Sequence, residues 1–451
     1  MQRQRSYRDH ARAILVLGLP LIGSHLAQIL IGVTDTVMMG WYGVTELAAL
    51  VLGSTFFLLM FLLGSGFANA VMPMVAEAAA SGNERQVRRV ARMALWLSLA
   101  YAVLIVPVFL WSGTILRFLG QEPQVADLAQ LYLRIAVAGM GPALITMVLK
   151  SYLSALERTV ALLWVTIGAA VINGIANYAL IFGNWGFPEL GVAGAGIASV
   201  VSNLLAALAL AVHVARATPE HALFHRFWRS DWEALGRVFR LGWPISLTML
   251  SEVGLFSASA IMVGWVGTTE LAAHGIALQL AAITFMVHLG LSGVATIRVG
   301  RAVGRGDQAG LADGGRVVTA LSVLFALVAA LVFLGFPEAL IDLFLDPAEP
   351  ARAEILRIGA ILLALAAVFQ LADGAQAIGL GLLRGVQDTR APMVIAGVSY
   401  WGVGATCSYV LSQPLGLGAP GVWIGLVAGL TCAAVLLNLR FWRRLAGVGA
   451  G

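Results

Sequence analysis

Residues 47–76 read LAALVLGSTFFLLMFLLGSGFANAVMPMVA, thirty positions without one Asp, Glu, Lys or Arg. A helix needs about 20 such positions to cross the hydrocarbon of a bilayer. The same reading applies to 93–111, 160–188, 191–215, 271–297, 317–337 and 391–439, all free of formal charge. Over 451 residues, 60% are hydrophobic and only 11% charged, where a soluble domain carries about 25% charged residues. A water-soluble enzyme is excluded. So is an outer-membrane barrel, whose strands alternate apolar and polar residues in runs of about ten. The fold class is an all-α polytopic membrane protein.

Twelve spans fit: 13–39, 47–75, 92–113, 128–150, 160–183, 191–215, 239–263, 271–297, 316–336, 354–383, 391–411 and 419–440. Assigning the N-terminus to the cytoplasm puts 24 of the 28 Lys and Arg residues in cytoplasmic segments, including Arg3, Arg5, Arg8, Arg12 and Lys150. Only Arg117, Arg134, Arg352 and Arg357 fall outside. This positive-inside pattern predicts both termini in the cytoplasm. The first apolar run is too long for a signal peptide and is expected to be retained as span 1. Because the basic residues sit between spans, no nucleic acid is expected as a partner. Cys407 and Cys432 lie within apolar segments and form neither a disulfide framework nor a metal site.

The longest polar connection, 216–238, divides the chain into residues 1–215 and 239–451. Its Phe227, Trp228 and Trp232 among basic residues suggest a segment on the inner membrane surface. The two halves repeat. A shift of 224 residues aligns Leu17-Gly18-Leu19-Pro20 with Leu241-Gly242-Trp243-Pro244, and Gly40-Trp41 through Glu46-Leu47-Ala48-Ala49 with Gly264-Trp265 through Glu270-Leu271-Ala272-Ala273. Between 17 and 49, 13 of 33 positions are identical at that offset. Each copy has an even number of spans and enters from the same side. The expected architecture is therefore two parallel six-helix repeats around a central cavity. Pro20 and Pro244 occupy equivalent points where bending could serve gating, and the glycines of span 10 either bend it or let it pack closely.

The copies differ where charge is expensive. Asp35 aligns with Ser259, and Glu252 with Gln28. Glu252 and Asp373 fall near mid-depth of spans 7 and 10, where a charge costs about 2.5–3.5 kcal/mol. Every Lys and Arg lies near a span end or in a loop, so no cationic partner is expected at their depth. Asp35 lies in the outer half of span 1, with Arg134 as a candidate ion-pair partner. Burial disfavours the charged form of a carboxyl and makes it a proton carrier, while a neighbouring cation restores the charge and makes a Na⁺ or organic-cation site. Asn173 and Asn177 share one helical face of span 5. With Asn203, Asn69 and Asp35 they could ligate a small hard cation, or hydrogen-bond helices together. Gln279, Gln370 and Gln376 are candidate lining residues near the second-half acids. His25, His274 and His288 read as packing residues, without metal-ligand spacing. No nucleophile or cofactor motif is found, so neither an enzyme nor a bound cofactor is expected.

The chain resembles the multidrug and toxic compound extrusion (MATE) family, in its NorM-type branch. The segments that carry this are Leu19-Pro20, Val33-Thr34-Asp35-Thr36-Val37-Met38-Met39-Gly40, Pro244 with Ser251-Glu252, Gln370-Leu371-Ala372-Asp373-Gly374, and Arg384-Gly385-Val386-Gln387-Asp388-Thr389-Arg390. The resemblance implies a monomeric exporter of organic cations and amphipathic drugs, driven by inward Na⁺ or H⁺ through alternating access. It implies a cation site at Glu252 and Asp373, Na⁺ included, with Asp35, Asn173 and Asn177 as further site residues. An aromatic hydroxyl often found beside the span-10 Asp is replaced here by Phe369. A lipid-linked precursor flippase of the same superfamily is the alternative. It would require basic residues projecting into the cavity, and none is evident in mid-span.

Overall fold

The computed structural model describes residues 7–347 and 349–448. Arg3 and Arg5 of the expected cytoplasmic basic cluster lie outside the described residues. The described chain contains twelve helices long and apolar enough to span a membrane. They are α1 (Arg8–Tyr42), α2 (Val44–Ala80), α3 (Glu84–Leu110), α4 (Pro123–Ala155), α5 (Val160–Phe182), α6 (Val192–Ala217), α7 (Trp232–Gly264), α8 (Thr268–Arg305), α9 (Gln308–Gly335), α10 (Arg352–Gly385), α11 (Arg390–Ser412) and α12 (Gly418–Ala446). Most run several residues past the apolar windows. Once backbone hydrogen bonds are set up in lipid, polar residues extend the same ladder into water at little cost.

Two turns show how local chemistry ends these helices. Asn83 and Asp307, 224 residues apart, each cap the following helix by accepting from the backbone N–H three residues on, at 3.0 and 2.8 Å. The turns after α4 and α10 each place a non-glycine residue in left-handed backbone, Glu157 at φ 62° and Gln387 at φ 56°. Those two are 230 apart, as are Thr159 and Thr389, so the repeat continues with a six-residue slip.

The chain divides into two compact units, Leu19–Ser246 (the N-unit) and Met1–Gly18 together with Leu247–Gly451 (the C-unit). The divisions fall inside α1 and α7, beside Pro20 and Pro244, rather than in the 216–238 connection. The packing explains this. In the N-unit, the start of α7 lies on α2: a Cβ on Gly242 would sit 2.8 Å from the Phe67 ring, and Ser246 Oγ donates to the Leu63 carbonyl at 2.7 Å. In the C-unit, the start of α1 lies on α8: a Cβ on Gly18 would sit 3.8 Å from Leu291. Gly18 and Leu291 are Gly242 and Phe67 displaced by 224, so the repeat is written in contacts as well as in letters.

The connection before α7 is anchored within the N-unit. Arg89 pairs with both Asp231 and Glu233, Arg92 donates to the His225 carbonyl at 2.6 Å, and Trp96 donates to the Phe227 carbonyl at 2.9 Å. Trp228 and Trp232 stay exposed, as a segment lying on a membrane surface requires. His221 is buried against the Tyr152 hydroxyl, and burial pushes its imidazole below the usual histidine range.

Candidate functional site

In the C-unit the site is built on a seam of small residues between α8 and α10. A Cβ on Gly374 would lie 2.6 Å from His288, and one on Gly385 would lie 2.6 Å from Val299. Ser292 and Thr296 of α8 donate to the carbonyls of Ala377 and Gly381 at 2.6 and 2.9 Å. This close approach, typical of membrane helices, buries the inward side of α10. Asp373 is 2% exposed, and Gln370 and Gln376 are fully buried.

Around Asp373 the polar groups are mostly acceptors without donors. Glu252 Oε1, Asp373 Oδ1, Gln376 Oε1 and both polar atoms of Gln370 are buried with no hydrogen-bond partner among the described residues. Glu252 and Asp373 lie within Coulombic reach of each other, and Gln376 adjoins Glu252. The Gln376 amide donates to the Tyr400 hydroxyl, which fixes the amide so that its oxygen is left free. Two carboxyls whose partnerless oxygens outnumber the donors beside them fit a proton or a hard cation.

Two residues of this site were not expected. Tyr400, fully buried, supplies the aromatic hydroxyl that Phe369 lacks, but from α11. It sits in a π-helical stretch, Val398–Ala405, whose wider turns change which residues face inward. Trp401 pins that stretch by donating to Ser251 Oγ at 2.9 Å, next to Glu252. Arg384 lies within Coulombic reach of Glu252, so the expectation of no cation near the acids is corrected. No salt bridge joins the two among the described residues. Phe369 instead packs edge-on between Phe256 and Trp423, at 6.1 and 5.5 Å.

The remaining C-unit candidates separate. His274 bonds to Trp423 Nε1 at 3.0 Å and to Ser259, the copy of Asp35, at 3.5 Å, and is a satisfied packing residue. His288 bonds through Nδ1 to Ser322 at 2.9 Å, while its Nε2 has no partner among the described residues. Gln279 is exposed on α8.

In the N-unit, Asp35 accepts a 2.5 Å hydrogen bond from Asn177, whose amide also reaches Asn173 at 3.2 Å. Arg134 is directed to the Leu110 carbonyl at 3.2 Å, so the candidate ion pair with Asp35 does not form. Asn173 Nδ2 and Asn177 Oδ1 have no partner among the described residues. The structure thus brings together Asp35, Asn173 and Asn177. Asn203 lies against Gly139 of α4, and Asn69 donates to the Ser65 carbonyl of its own helix at 3.0 Å. Lys150, grouped by sequence with the cytoplasmic cations, reaches Gln28 of α1 at 3.2 Å. Among the described residues no three His, Cys, Asp or Glu side chains cluster to hold a resident metal ion.

The model of the MatE family matches residues 20–179 and 244–410. A relative from Rhizobium meliloti, "Probable multidrug resistance protein NorM", is 48% identical over all of this chain and 97% of its own length. One of the same name from Brucella suis is 39% identical over 97% of this chain and 93% of its own. Among solved structures, a MATE protein crystallised in complex with MaL6 superimposes with a TM-score of 0.89 at 21% identity, covering 98% of each chain. The eukaryotic MATE transporter AtDTX14 superimposes with a TM-score of 0.86 at 17% identity, also covering 98% of each. At those identities the structures speak for the fold, and the sequence relatives and the family model speak for descent. The chain therefore belongs to the MATE family, on its NorM-type branch, a family of transporters rather than of enzymes.

Proposed function

We propose that this chain is a multidrug efflux antiporter of the inner membrane, exporting organic cations and amphipathic drugs in exchange for inward Na⁺ or H⁺. The names of its relatives, multidrug resistance proteins, support the drug-efflux part. The observation that carries the coupling part is the buried group of partnerless oxygens at Glu252, Asp373 and Gln376. Two carboxyls within Coulombic reach cannot both stay charged in so dry a place without a positive ion between them. Binding Na⁺ there, or sharing a proton, removes that penalty and so links the site's conformation to the ion gradient. Glu252, Asp373, the Gln376 carbonyl and the Tyr400 hydroxyl would hold the ion, and the guanidinium of Arg384 would limit how much positive charge the site accepts. Asp35 with Asn173 and Asn177 is a second acidic site, already half-satisfied by amide donors. The chain acts as a monomer with residues 1–215 and 239–451 as its repeats and both termini cytoplasmic, a topology supported by the charge distribution.

The test is drug efflux from proteoliposomes with Na⁺ and pH gradients imposed separately. Glu252→Gln and Asp373→Asn should abolish ion-driven efflux while leaving membrane insertion intact. Full efflux in either variant removes that residue from the mechanism.

A further inference from the structure

Lys150 is the only lysine in the chain; the other 27 cationic residues are arginines. It lies in α4, five residues before the helix ends, and its ammonium donates to Gln28 Oε1 at 3.2 Å. His25, the middle residue of α1, is within Coulombic reach of the same ammonium. The charge is therefore near mid-depth in the N-unit. Among the described residues it has no carboxylate partner. A lone ammonium there costs about 2.5–3.5 kcal/mol and would not be aimed at lipid.

The groups around it are donors. His25 and Gln28 are three apart on α1 and share a face; Thr146 and Lys150 are four apart on α4 and share another. Thr146 Oγ1 is buried without a hydrogen-bond partner among the described residues. Gln28 offers an amide N–H₂ and is exposed, while His25 and Lys150 are half-buried, so the cluster is open to a ligand. The repeat sharpens the contrast. Gln28 aligns with Glu252, and the later offset of 230 aligns Lys150 with Leu380. The level that carries an acid in the C-unit carries a cation in the N-unit.

Resting on the drug-efflux reading, we propose that Lys150, with Gln28, His25 and Thr146, is the group that selects for a carboxylate on the substrate. A point-charge ammonium among neutral donors suits a carboxylate, which each donor can approach from a different side. A purely cationic substrate gains nothing there.

The test compares two dyes in proteoliposomes containing the full chain: a rhodamine with a free benzoate, and its methyl ester, the same cation without the acid. Lys150→Gln should raise KM for the acid about tenfold, the loss of one charge-assisted contact. It should leave the ester unchanged, which also reports that the variant is folded. Lys150→Arg should restore much of the acid's transport. Independently, the acid but not the ester should protect Lys150 of the wild-type protein from an amine-acylating reagent, read by mass spectrometry of a chain with no other lysine. Equal effects of Lys150→Gln on both dyes, or equal protection by both, overturns the inference. If wild-type protein moves neither dye, the efflux reading itself has failed; if it moves the ester and the acid alike and Lys150→Gln changes neither, only the carboxylate site has.

Discussion

Gly385→Ala should prise α10 from α8. Its new methyl would lie 2.6 Å from both Cβ and Cγ1 of Val299 and 3.1 Å from the Thr296 carbonyl oxygen. Ordinary contact starts at 3.4 Å, so the helices must part by 0.8 Å at that point. Val299 Cβ is fixed to its backbone and cannot swing aside. A gap of 0.5–1 Å forfeits about a quarter to a half of each dispersion contact along the seam. Carried one turn along, the shift takes the Thr296 bond to Gly381 from 2.9 Å to about 3.7 Å, beyond hydrogen-bond length. Overpacking costs about 1–3 kcal/mol, and a lost interhelical bond in a membrane adds about 0.6. The expected loss is about 2–4 kcal/mol.

The assay is unfolding of the purified protein in detergent, followed by tryptophan fluorescence. Gly275→Ala, on α8 with no atom within 4 Å of its Cβ, is the control and should match or exceed wild type, since alanine is the better helix former. Val299→Ala added to Gly385→Ala relieves Cγ1 but not Cβ, so rescue should be partial. If Gly385→Ala unfolds no more easily than Gly275→Ala, the methyl does not part α10 from α8, and complete rescue by Val299→Ala would show that the helices never moved.

Tyr400→Phe should leave the Gln376 amide without its acceptor, costing about 1–3 kcal/mol in the same unfolding assay. It should also raise the coupling-ion concentration for half-maximal efflux; an unchanged value would put the hydroxyl outside the ion site. In the 216–238 connection, the hydrogen bond from Arg89 holds the Asp231 carboxyl below the usual carboxylate range. A carboxyl depressed by folding stabilises above its unfolded pKa and ceases to as the pH falls through the folded value. Asp231→Asn should thus lose about 0.2–1 kcal/mol at pH 7, with the difference from wild type closing below about pH 4. A difference that persists in acid would assign the effect to packing.

The spans were legible because exclusion of charge from lipid acts on one residue at a time and needs no knowledge of neighbours. Their ends were less so, since α8 continues to Arg305, beyond the apolar window that stops at 297. The carboxylates Glu252 and Asp373 were legible for the same reason as the spans, and the Asn173–Asn177 pair followed from helical spacing. Tyr400 was hidden because spacing arguments assume 3.6 residues per turn, and the π stretch from Val398 to Ala405 breaks that register. Only its glycines, at 397, 402 and 404, mark the place.

The two missed cations share a geometric cause. Side chains on a helix tilt toward its N-terminus. α4 and α10 end on the side that the charge pattern assigns to the cytoplasm, so a cation in their last turns leans back into the membrane instead of out of it. Lys150 and Arg384 are such residues, and both reach polar groups at depth. Arg8, Arg12, Arg237 and Arg240 stand at the starts of α1 and α7, where the same tilt carries them toward water. Counting loop charges therefore misplaces the cations that end the helices it reads as running outside to inside. With those two restored, the copies no longer differ only in where they keep acids. The C-unit sets an arginine beside its carboxyl pair, whereas the N-unit sets its lysine on the Gln28 that replaces Glu252, two helical turns from Asp35 on α1. Duplication preserved the helix contacts, down to Gly18 and Gly242, and left the charged positions free to diverge.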